Sequence, residues 1–145
     1  MLRRIALSLA GALLLGLLVI QLVPVPRTNP PVVSEPTWNS PQTRALAQRA
    51  CFDCHSNETR WTWYAYVAPA SWLVANDVHE GRGELNFSDW RAGRGRKASE
   101  EVLGGDMPPQ MYLFMHPDAK LTLEEKQALA SGLDATLGAG RRGQR

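Results

Sequence analysis

The chain has 145 residues, and 16 Lys and Arg against 14 Asp and Glu leave a net charge of +2. That length suits one domain, the near balance excludes the concentrated basic excess of a nucleic-acid binder, and 44 % hydrophobic residues exclude a disordered chain. Two cysteines are too few for a disulfide-stapled scaffold.

Arg3 and Arg4 precede an uncharged run from Ile5 to Pro26, in which Ser8 and Gln21 are the polar side chains. Its 19-residue core, Ile5 to Val23, has the length a helix needs to cross a bilayer. The flanking arginines place the N-terminus in the cytoplasm and everything from Arg27 onward outside it. A cleaved signal peptide is the competing reading; the run is long for one and ends in Gln21-Leu-Val-Pro-Val-Pro, without a small-x-small cleavage site. Residues 1–26 are therefore read as an anchor, with the rest of the chain exported.

Six prolines fall between Pro24 and Pro41. Proline fixes φ and removes the amide donor, so residues 27–40 are expected to be an extended linker. From Thr43 to Gly138 ten basic and thirteen acidic residues give −3, so the positive charge sits at the two ends of the chain. Residues 41–138 form the folded domain and residues 139–145 a basic tail.

Ser40-Pro41 reads as N-cap and first position of a helix that runs into the cysteine motif. Ser71 is a candidate cap for a second helix carrying Trp72, Ala75 and Val78, with Gly81 and Gly83 as its stop. Ser88-Asp-Trp-Arg reads as a turn or another helix start. A short helix near Ala98 to Leu103 stops at Gly104-Gly105. Thr122 and Glu125 make a capping box, followed by a stripe of Leu129, Leu133 and Leu137. No stretch alternates with period two and no repeat occurs. The expected fold is all-α: a small helical domain behind a single N-terminal transmembrane helix, its first and last helices packed together.

The chemistry lies in Cys51-Phe-Asp-Cys54-His55. Cys-x-x-Cys-His is the attachment signature of c-type haem. Its two thiols add across the two vinyl groups, and the adjacent imidazole reaches the iron. A thioredoxin-like pair belongs in a βαβ context, a zinc site needs a second ligand pair near at hand, and His79 and His116 are distant and isolated. A plain disulfide leaves His55 unexplained. For the sixth iron position the candidates are Met107, His116, or no protein ligand at all. Met107 stands first: Pro108 and Pro109 hold its loop extended, 52 residues beyond His55, and a thioether raises the potential. Met111 and Met115, with Leu113 and Phe114 between them, read as a core face. Trp61, Trp63, Tyr64, Tyr66 and Trp72 follow the motif; they either pack on the macrocycle or fill the core. Arg91, Arg94, Arg96 and Lys97 either neutralise propionates, dock an acidic partner or form a solvated loop.

The segment from Cys51 to Tyr64 (Cys-x-x-Cys-His-Ser-Asn-Glu-Thr-Arg-Trp-x-Trp-Tyr) resembles the bacterial haem-binding domain family of small c-type cytochromes. So do Ala68-Pro-Ala-Ser-Trp72-Leu, Asp77-Val-x-x-Gly81-Arg82-x-x-Leu85-Asn86-Phe87-Ser88-x-Trp90, Met107-Pro-Pro109-x-x-Tyr112 and His116-Pro-x-Ala119-x-Leu121. The likeness runs from Thr28 to Leu137; Thr62 departs from it, where proline is common. It implies one covalent haem on Cys51 and Cys54, with His55 as proximal ligand, in an anchored or exported protein. The expectation is an electron carrier rather than an enzyme. It would sit in the bacterial inner membrane with its domain on the periplasmic side, exchanging electrons with redox proteins such as a respiratory complex. The alternative is an open iron doing peroxidase-type chemistry, with His116 as distal base, or sensing gas or redox state.

Overall fold

The computed structural model describes all residues except 92 and 139–145, so the expected basic tail lies outside the described residues. Among the described residues seven α-helices follow in order: α1 (Leu2–Ile20), α2 (Pro41–Ala50), α3 (Phe52–His55), α4 (Ala70–Glu84), α5 (Ala98–Gly104), α6 (Gln110–Met115) and α7 (Leu123–Leu137). Short 3-10 turns cover Trp63–Tyr66 and Pro117–Ala119. The fold is all-α as expected; among the described residues β-pairing is limited to one isolated bridge, Ser34 with Asp89. The chain forms two compact units. One joins Met1–Thr28 to Trp61–Asp77, the other Asn29–Arg60 to Val78–Arg145, and α4 contributes residues to each.

In the first unit, α1 is 19 residues long and apolar enough to cross a membrane, with none of its residues buried. Gln21 caps its C-terminal end. The Gln21 amide Nε2 donates to Leu17 O (2.9 Å) and to Ala68 O (3.2 Å), and its Oε1 accepts from Ala68 N (2.9 Å). Arg27 donates to Ala65 O (3.2 Å), with its guanidinium 4.7 Å above the Tyr66 ring.

The second unit is built on a core of Leu46, Ala47, Ala50, Phe52, Phe87, Val102, Leu129 and Leu133, among others. Phe52 and Phe87 stack at 5.3 Å, and Trp38 lies against both rings. The first helix of this unit, α2, packs on the last, α7, as expected, and α7 also carries α5. Leu129, Leu133 and Leu137 are all buried. Ser99 Oγ donates to Asp134 at 2.5 Å across the α5–α7 contact.

Helix ends follow local chemistry. Ser40 Oγ accepts the Thr43 amide at 3.1 Å, with Pro41 opening α2. Ser40→Ala is expected to cost about 1 kcal/mol, read as a lower denaturation midpoint with an unchanged slope. Thr122 and Glu125 form the complete capping box of α7. Gly105 ends α5 at φ 89°, the left-handed region that glycine enters without strain.

Three expectations change. Ser71 lies inside α4 and does not cap it, and α4 runs through Gly81 and Gly83 to Glu84. Glycine at 81 serves close packing: a Cβ there would stand 2.6 Å from Cys54 O. The proline-rich stretch is extended, but from Asn29 onward it is bonded to the rest of its unit. Val33 N and Ser34 N donate to Ser88 O, Trp90 N donates to Ser34 O, and Glu35 pairs with Arg44 at 2.8 Å. Met111, Phe114 and Met115 do form a helical segment, α6, yet all three are exposed, Phe114 at 81 %. A single six-residue turn between two prolines presents only one side to the core, and Tyr112 and Leu113 take the less exposed positions.

Candidate functional site

Cys51 ends α2 and caps α3. The Cys54 and His55 amides both return to Cys51 O, at 3.2 and 2.9 Å, so the motif closes a single helical turn. Residues three and four apart on a turn share a face, which brings both thiols and the imidazole together. No disulfide joins the two cysteines, and both are half-buried. Burial, then the Cys54 sulfur beside it, pushes the Cys51 thiol up to about 12.

His55 is held from behind. Its Nδ1 lies 2.9 Å from Gly81 O and 3.1 Å from Leu85 O. Two carbonyls only accept, so Nδ1 carries the hydrogen and Nε2 keeps the lone pair. A half-buried imidazole whose one nitrogen donates to backbone is the arrangement of a metal-ligating histidine. Burial lowers the pKa of His55, outweighing the two carbonyl bonds that raise it, and so favours the neutral ring that ligation requires. The same α4 turn explains Gly81: the helix meets Cys54 so closely that no side chain fits between them.

The residues after the motif lock its shape. Phe87 N donates to His55 O (2.8 Å). Ser56 Oγ donates to Phe52 O and accepts Glu58 N, Thr59 Oγ1 donates to Asp53 O, and Arg82 Nε donates to Ser56 O at 2.7 Å. Asp53, between the two cysteines, accepts from the Arg60 amide, from the Arg60 guanidinium at 3.0 Å and from Tyr112 Oη at 2.8 Å. Burial alone would raise the Asp53 pKa; the Arg60 and Tyr112 bonds outweigh it and hold the carboxyl below its usual value. Tyr112 is raised by burial and by the Asp53 charge. This bond therefore ties α3 to α6, the helix that begins just after Met107-Pro-Pro. Asp53, Gly81, Arg82 and Tyr112 were not singled out for these roles from sequence. Gly81, Arg82 and Tyr112 stand in the segments that carry the family resemblance, and Asp53 at a position left open there.

Met107 follows the left-handed end of α5. The amides of Gly105, Asp106 and Met107 all converge on Glu101 O at 3.1 Å. The partly buried Met107 side chain packs on the same core as Cys51. His116, the rival ligand, is buried, with its ring stacked 4.1 Å from that of Tyr112 and Nδ1 3.2 Å from Tyr112 O. His79 is exposed on α4. Cys51, Cys54, His55 and Met107 thus belong to the second unit. Trp61, Trp63 and Tyr64 belong to the first, where Trp63 meets Tyr64 edge-on at 5.7 Å.

Two thiols and an anchored imidazole on one helical turn form a donor set that suits haem, and a thioether packs on the same core; fold and site define a small all-helical haem-binding protein. The model of a family described as Haem-binding domain matches residues 15–135, and the chain belongs to that family. No curated protein and no solved structure matches it.

Proposed function

We propose that this protein is a membrane-tethered carrier of single electrons. It holds one haem c through thioethers on Cys51 and Cys54, with His55 Nε2 and the Met107 sulfur on the iron. α1 anchors it in the bacterial inner membrane, and the folded part faces the periplasm. The observation that carries this reading is the pinned imidazole. Gly81 O and Leu85 O fix the tautomer and direction of His55 from within the protein. Haem bound there supplies one-electron redox chemistry. The chain's own contribution is to hold a neutral imidazole, to present a soft sulfur from a proline-stiffened loop and to keep the attachment turn rigid. The reading requires no proton-transfer group or nucleophile, so the natural partners are redox proteins, such as those of a respiratory complex.

The test is the visible spectrum of the purified full chain, oxidised and reduced, with and without carbon monoxide. Sharp reduced bands that ignore carbon monoxide support a closed, six-coordinate electron carrier. A large shift with carbon monoxide overturns it in favour of an open iron that performs peroxide chemistry or senses gas. Covalent attachment has its own readout. The intact mass under denaturing conditions is expected to exceed that of the polypeptide by one haem. Cys51→Ala and Cys54→Ala should each retain the increment through one remaining bond, and the double variant should lose it.

A further inference from the structure

We infer that the segment from Trp63 to Leu73 lies in the membrane interface and is a second lipid contact beside the anchor helix. The inference rests on reading α1 as a membrane span. Trp61 to Asn76 contains no charged residue, sixteen positions in a row in a part of the chain expected to be exported. Within that run Trp63, Tyr66, Val67, Trp72 and Leu73 are all exposed, Trp63 at 71 % and Tyr66 at 57 %. Large aromatic side chains left open to water are costly. A water-facing surface of this size would ordinarily carry charge.

The covering medium is indicated by what the segment is fastened to. Gln21, at the C-terminal end of α1, makes two hydrogen bonds to the backbone of Ala68 while also bonding Leu17 inside the helix. Arg27 reaches Ala65 O and stacks over Tyr66. The uncharged aromatic segment is therefore held at the point where α1 would leave the hydrocarbon. Trp and Tyr concentrate at that depth because their rings are apolar and their N–H and O–H groups reach water and headgroups. Arg27, the first charge after the span, is placed at the same level, where phosphates are within reach of a guanidinium. Gln21, one of two polar side chains in the apolar run, is then explained: it fastens the interfacial segment to the helix and satisfies the amide and carbonyl of Ala68.

The full-length haem protein, reconstituted in vesicles of mixed phosphatidylcholine and phosphatidylglycerol, tests this. One vesicle set carries a phospholipid with a photoreactive diazirine near the headgroup; a second carries the diazirine deep in the acyl chain. Peptide mapping after illumination is expected to find the deep probe on α1 and the shallow probe on the Trp61–Leu73 peptide. The variant Val67→Ser/Leu73→Ser, at two exposed positions given no part in holding haem, should keep the haem spectrum and lose most of the shallow label while α1 keeps the deep one. Deep label on α1 without shallow label on Trp61–Leu73 overturns the inference and leaves the anchor standing; the aromatic face is then covered by cofactor or by protein. No label on α1, with release of the protein by alkaline washing, overturns the anchor reading and this inference with it.

Discussion

Met107→Ala is expected to convert a low-spin iron to high-spin, to open it to carbon monoxide and to lower its reduction potential. Axial ligand choice moves haem potentials over a range of about 0.8 V, so losing a thioether should cost on the order of 100 mV. At 59 mV per tenfold for a one-electron couple, that is roughly a 50-fold shift toward the oxidised form. Alanine leaves the loop backbone unchanged. The convergence of three amides on Glu101 O and the left-handed Gly105 do not depend on the residue 107 side chain, and Pro108 and Pro109 still follow. The predicted changes therefore report the sulfur alone. Redox titration and the long-wavelength sulfur-to-iron charge-transfer band of the ferric protein measure them. A Met107→Ala protein with the wild-type spectrum and potential would eliminate the residue as ligand. If His116→Ala then removed the six-coordinate spectrum, the ligand would be His116, whose ring the structure holds against Tyr112.

What the sequence made legible was chemistry that acts within a few residues. Ser40-Pro41 set the start of α2 because a hydroxyl and a ring act on the next turn. Thr122 and Glu125 did the same for α7. Cys51, Cys54 and His55 announced a site because their spacing alone puts them on one turn. What stayed hidden was decided across the fold. Gly81 reads as a helix stop, and only the approach of Cys54, 27 residues earlier in the chain, shows that it is a point of close packing. The proline-rich stretch reads as an extended linker, yet the Ser88 carbonyl and the Phe52 and Phe87 rings hold its second half. Asp53 occupies a position the motif leaves unspecified, and its partners Arg60 and Tyr112 lie 7 and 59 residues away. Met111, Phe114 and Met115 carry the apolar spacing of a core face but remain exposed, because spacing says which residues share a side and not what that side meets.

Two substitutions on one helix separate these meanings of glycine. Gly83→Ala adds a Cβ that meets nothing within 4 Å and should be neutral or stabilising by up to about 1 kcal/mol, the preference of a helix interior for alanine. Gly81→Ala gains the same preference, but its Cβ would lie 2.6 Å from Cys54 O and 3.1 Å from Cys54 C and Cβ. The obstacle is backbone on the Cys51–His55 turn, which has no rotamer to change, so α4 must move away. Overpacking of this kind costs about 1–3 kcal/mol, enough to reverse the gain. The functional effect should be the larger one. His55 Nδ1 is held by the carbonyls of Gly81 and Leu85, on the part of the chain that must move. Loosening the groups behind a metal-bound imidazole typically weakens the metal bond by about 10–100-fold. Gly81→Ala should therefore yield less haem-loaded protein, and the fraction that loads should lose its His55–iron bond to added imidazole at lower concentration than Gly83→Ala. Equal loading and equal imidazole resistance in the two variants would mean that α4 does not set the position of His55.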